Sequence, residues 1–286
     1  MINSEITIVV CATIICQGEG SWWFRIYRRL YRNWLQRLAR LLKLTMSEPM
    51  PLNAGVLIIG SLLWDEKRQA WRRARLDMTS VQTVTAPIRY GRLSPSRGNT
   101  YTMVFSRRGA SGHAKVVSCS QSVSSFEDLN TEAECLWKAE YRKAKSGSIA
   151  EDWGCVALLC NPERKIPKNL LTRWADRVGR EAGYGQVSQT QEEGDLITKH
   201  GLLQIAWPRF VEGGEPVQLD LLLATANDPT LETPTSYPTV ETITKAWNMA
   251  AGKHVKYFWT NLDNGIRTFQ DNEIQRLLRR RAKAHA

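Results

Sequence analysis

Two places along the chain bring together residue types that can do chemistry without a metal or a cofactor. The first is Gly60-Ser61, which closes the apolar run at 55–60. A glycine followed by serine at the end of a buried strand lets backbone N–H groups converge on an anion, because no Cβ stands in the way. The second is Glu140. The segment 132–145 reads as a helix in which Ala133, Leu136, Glu140 and Ala144 step by three, four and four. That spacing turns Glu140 toward the buried face. An inward carboxylate is costly unless it is paired or functional. Burial also lifts its pKa above the model value of about 4.3, toward that of a general base. The competing structural role is an ion pair with Arg89, Arg92 or Arg97. Glu134 has a separate assignment, because it follows Thr131 by three residues, the spacing of a capping box.

Other chemistries find no support. Gly-x-Ser-x-Gly is absent and no histidine is placed by motif to activate Ser61. Neither Gly-x-Gly-x-x-Gly nor a P-loop occurs, so no nucleotide cofactor is implied. The six cysteines (Cys11, Cys16, Cys119, Cys135, Cys155, Cys160) form no Cys-x-x-Cys pair and fall in apolar runs, where cysteine behaves as a small hydrophobe. The four histidines are widely spaced, so no metal-ligand pattern appears. The expectation is a protein without cofactor or metal, in a reducing, cytoplasmic compartment.

The net charge of +11 over 286 residues is unevenly placed. Residues 1–45 carry +5 and residues 276–286 carry another +5, which leaves +1 for everything between. A nucleic-acid-binding domain wants a basic face on the fold itself, so none is expected here. Residues 1–50 read as a basic amphipathic extension. Trp23, Ile26, Leu30, Trp34, Leu38, Leu41 and Leu42 recur at helical steps within 22–44, with cations between them. That pattern suits an anionic membrane surface or a partner's groove. The upstream segment equally reads as an unstructured leader ahead of a start at Met46. The oligomeric state is left open.

The elements that must position Gly60, Ser61 and Glu140 lie in 51–286. The run 55–60 is a buried strand. After the turn, Asp65 caps a short helix at 66–75. Segments 81–93 and 101–106 read as a long hairpin around Ser-Pro-Ser-Arg-Gly. Strands follow at 114–119, 154–160 and 217–226, with helices at 132–145, 169–181, 240–251, 254–262 and from 271 on. Hairpins mixed with helices argue an α+β fold with a mixed, strongly bent or barrel-like sheet, flanking helices and a helical C-terminus.

These residues resemble a known family. Val56-Leu-Ile-Ile-Gly-Ser-Leu-Leu-Trp64 resembles the strand-and-loop motif F-G-Y-G-S-L-I-W of γ-glutamylcyclotransferases, especially the glutathione-specific ChaC-like group. Ser96-Arg97-Gly98-Asn99-Thr100 is similar to that group's Arg-Gly-Thr turn. Leu136-Trp-Lys-Ala-Glu140-Tyr-Arg sits where the family has L-D-x-R-E. The tail from Ala251 through Tyr257 to Gly265-Ile266 and Asp271 resembles A-x-G-x-x-G-x-N-x-x-Y-L…G-I-x-D. The resemblance implies a γ-glutamylcyclotransferase-like fold and a small-molecule γ-glutamyl substrate. It implies a loop of Gly60, Ser61, Leu62 and Leu63 that holds the γ-glutamyl group through backbone amides, and Glu140 as general acid/base. Ile59 and Ala139 stand where the family has Tyr and Arg. A second expectation is therefore a non-catalytic small-molecule-binding domain on the same fold.

Overall fold

The computed structural model describes residues 51–184, 193–250 and 255–284. The amphipathic segment 22–44 lies outside the described residues. Pro51–Ala286 is one compact unit. Its elements are β1 (Ala54–Ile58), α1 (Gln69–Arg75), β2 (Gln82–Ser94), β3 (Thr100–Phe105), β4 (Ser111–Ser118), α2 (Phe126–Glu140), β5 (Ala150–Glu151), β6 (Gly154–Cys160), α3 (Lys168–Gly179), β7 (Leu221–Asn227), α4 (Val240–Met249), α5 (Val255–Asp263) and α6 (Asp271–Ala284). Among the described residues this makes an α+β architecture: one seven-stranded mixed sheet with six α-helices, in strand order β3-β2-β4-β1-β7-β6-β5.

The centre of the sheet follows from composition. Every residue of β1 and β7 is buried, as expected of strands covered on both faces. β1 pairs antiparallel with β4 and parallel with β7. The sheet is not closed, and β3 and β5 are its edges. In a flat sheet β3 and β7 would stand four strand spacings apart, about 19 Å. They nevertheless touch, so the sheet curls strongly and leaves a concave region between them.

β2 carries much of this bend. Its first half, through Pro87, pairs with β4, and its second half, from Ile88, pairs with β3 on the other edge. The register with β3 slips between Tyr90 and Arg92, leaving Gly91 as a bulge. A Cβ on Gly91 would meet Val104 Cγ2 at 2.6 Å, so glycine is required there. Ile88 and Tyr90 face Phe105 and Met103, whereas Arg92 pairs with Thr102 on the opposite face. The bulge has turned Arg92 out of the core face.

One expectation is corrected. The helix expected at 132–145 begins at Phe126 and ends at Glu140. Its capping box is Ser125 with Asp128, not Thr131 with Glu134: Ser125 Oγ accepts from Asp128 N at 3.2 Å, and Asp128 Oδ2 accepts from Ser125 N at 2.9 Å. Thr131 instead donates to the Glu127 carbonyl at 2.8 Å, and Glu134 accepts from Asn130 at 2.6 Å. An aspartate at the third helical position closes the box as well as a glutamate does, and the apolar stripe starts one turn earlier, at Leu129.

Candidate functional site

The turn after β1 is held from beneath. The Leu63 amide donates to the Gly60 carbonyl at 3.2 Å, and the Asp65 amide donates to the Ser61 carbonyl at 2.9 Å. Asp65 then caps the next helical turn through Lys67 N at 3.0 Å. Arg72, on α1, is buried and donates from Nη1 to the Leu62 and Asp65 carbonyls at 2.8 and 2.9 Å. With the carbonyls tied down, the Ser61 and Leu62 amides donate to no protein acceptor among the described residues.

Gly60 is glycine for a steric reason. A Cβ there would meet Tyr257 Oη at 2.7 Å. Tyr257, on α5, is buried and packs its ring against Trp64 at 5.9 Å between centroids. Trp64 Nε1 in turn donates to Asn261 Oδ1 at 2.8 Å, and Asn261 is fully buried. Burial holds the Tyr257 hydroxyl above the usual phenol pKa, and Arg97 opposes that rise. Helix α5 thus fixes the floor of the turn.

Gly60, Ser61 and Leu62 line a cavity of about 310 Å³ between the β1 turn, the β2–β3 hairpin and β7. That is the lower end of the range for small-molecule sites. Glu140 lines the same cavity, at the last residue of α2. Ala133 and Leu136 are fully buried and Glu140, on the same helical face, is half-buried and opens into the cavity. Leu63 does not line the cavity. Its amide is used within the turn and its side chain joins the core.

Glu140 is not the ion-pair partner that its nearest arginines would have made it. Its carboxylate makes no hydrogen bond or ion pair among the described residues. Three guanidinium groups nonetheless share the cavity with it: Arg68, Arg92 and Arg97. Burial raises the Glu140 pKa. Arg68, Arg97 and Arg92 oppose that rise at longer range, in that order, and Asp65 adds to it. Its position at a helix C-terminus, where carbonyl dipoles converge, pushes the same way as burial. The result is a poised, unpartnered carboxyl group facing free amides and cations.

Each arginine is held differently. Arg68 pairs with Asp65 at 2.7 Å and reaches the Glu140 carbonyl at 3.4 Å. Arg97 sits on the hairpin turn, where Gly98 and Asn99 both take left-handed backbone conformations. It donates to Ser61 Oγ at 2.8 Å and lies over the Tyr257 ring at 4.8 Å. Arg92 lies over Trp153 at 4.2 Å, and burial lowers its pKa. Arg68, Tyr141, Trp153 and Asn227 were not foreseen as site residues. Gly91, a lone glycine inside a strand pattern, was the available signal for the bulge that aims Arg92.

Among the described residues there is no cluster of three or more His, Cys, Asp or Glu side chains able to hold a metal ion. Nor is any helix long and apolar enough to cross a membrane. Cys119, Cys135 and Cys160 are free thiols. Comparison with family models, curated proteins and solved structures returned no match to this chain.

Proposed function

We propose that the chain is a cofactor-independent γ-glutamylcyclotransferase with the bent, barrel-like fold of that family. It would release 5-oxoproline from a γ-glutamyl amine or peptide. One observation carries the reading: Glu140, a carboxylate without a partner, shares a small cavity with the two unused amides of Ser61 and Leu62.

The chemistry follows from what these groups do. The α-ammonium of a γ-glutamyl group has a pKa of roughly 8, so a base must remove its proton near neutral pH. Glu140 takes that proton. The freed amine attacks its own γ-carbonyl carbon, and a C–N bond closes the five-membered ring. The Ser61 and Leu62 amides hold the substrate in ring-closing geometry and stabilise the developing oxyanion. The ring nitrogen sheds its second proton to solvent, Glu140 returns the first to the leaving nitrogen, the original amide bond breaks, and the carboxylate is regenerated. Arg97, tied to Ser61, supplies a cation beside the loop for the α-carboxylate.

The test is release of 5-oxoproline from glutathione and from γ-glutamyl amino acids. Glu140→Gln should lower turnover by about two to four orders of magnitude with the unfolding midpoint retained. Full activity in that variant would remove Glu140 from the reaction. Binding of γ-glutamyl compounds without 5-oxoproline would make the domain a small-molecule binder.

A further inference from the structure

The cations of the cavity are held in a way that leaves two of them available. Arg92 rests on Trp153, which is itself braced by Trp137 at 5.0 Å and by Tyr141 edge-on at 5.7 Å. Arg97 is held by a hydroxyl and an aromatic ring. Neither forms an ion pair with a carboxylate among the described residues. Arg68, by contrast, has Asp65. Asp228 and Glu140 attract Arg92 from a distance, and Arg97 stands near enough to repel it. Asp228 does not line the cavity.

Two like charges in a partly dehydrated wall are costly unless an anion joins them. A single substrate carboxylate satisfies one. Arg97 is bound to the Gly60–Leu62 loop through Ser61, so it serves the γ-glutamyl half. Arg92 enters from another element, the far side of the Gly91 bulge, over a separate aromatic platform. Arginine presents a planar fork that matches a carboxylate, and stacking on Trp153 fixes the plane of that fork.

Building on the cyclotransferase reading, we infer that Arg92 forms a second carboxylate subsite that receives the leaving group. The favoured substrates are then γ-glutamyl amino acids or peptides with a free terminal carboxylate, and γ-glutamyl amines are disfavoured.

The test compares γ-glutamyl-alanine with γ-glutamyl-alaninamide, which differ only in that carboxylate. Wild type should favour the acid by about 10–100-fold in kcat/KM, the range of one hydrogen-bonded charge pair. Arg92→Gln should bring the ratio between the two substrates toward one, and Arg92→Lys should keep part of it. Thermal unfolding checks that both variants fold. Calorimetric titration of both compounds into the Glu140→Gln protein reads the subsite apart from the reaction. A preference for the acid in that titration, abolished by adding Arg92→Gln, supports the subsite even where no 5-oxoproline is formed, an outcome that sinks only the cyclotransferase reading. Equal affinity for acid and amide, or a preference that survives Arg92→Gln, overturns it.

Discussion

Replacing Gly60 by alanine isolates the contact that supports the turn. The added methyl would lie 2.7 Å from Tyr257 Oη, and the next nearest atom, Tyr257 Cζ, would be 3.7 Å away. Favourable contact between heavy atoms falls near 3.5–4.0 Å, so the clash belongs to one oxygen. That oxygen cannot swing aside freely. Its ring is packed on Trp64 and covered by Arg97. Gly60 has no positive φ, so alanine suffers no backbone penalty and the whole cost is steric. Overpacking of this kind costs about 1–3 kcal/mol. Tyr257→Phe removes the oxygen and leaves Cζ at an ordinary distance. By itself it should cost about 1 kcal/mol or less, the loss of one buried hydroxyl. In the double variant the steric penalty disappears, so the two changes should be less than additive by about 1–3 kcal/mol. Urea unfolding, with midpoints compared at constant m, measures the cycle. Additivity within about 0.5 kcal/mol would refute the claim that Tyr257 dictates glycine at position 60.

The acid limb of the kcat/KM profile should titrate above the ordinary carboxylate range, because burial raises the Glu140 pKa and only its ionised form accepts a proton. Arg68 is the strongest influence opposing that rise, so Arg68→Met should move the limb to still higher pH; a limb that moves down would show that another group is titrating. At the start of α2, Ser125→Ala should lower stability by about 1 kcal/mol as a lost N-cap. Thr131→Ala should fall within about 0.5 kcal/mol of wild type, which thermal denaturation separates readily.

The parts of the site legible in the sequence were those set by local geometry. A period near 3.6 turned Glu140 inward, and a glycine at a strand end marked the open turn. Leu63 could not be judged the same way. Whether an amide in that turn is free depends on which carbonyl curls back to it, and Gly60 takes that one. The bend of the sheet was legible only as a tendency, since it arises where β2 changes partners from β4 to β3. Nothing local announces that change except Gly91.

The arginines show most plainly where local reading stops. Read as a motif, Ala139 leaves the candidate base without the neighbouring cation that an Arg-Glu pair would provide. Ala139 is in fact buried. The cation comes instead from Arg68, 72 residues earlier, whose Nη2 reaches the Glu140 carbonyl while Nη1 holds Asp65. Asp65 belongs to the same turn as Ser61, so one guanidinium ties the candidate base to the loop that faces it. Arg97 makes a second tie from the hairpin to Ser61 Oγ, across 36 residues. The electrostatic setting of Glu140 is therefore built by tertiary contacts that bring three elements to one cavity. A chain read residue by residue finds the acid and the candidates Arg92 and Arg97, but misses Arg68, the cation that opposes its pKa rise most strongly.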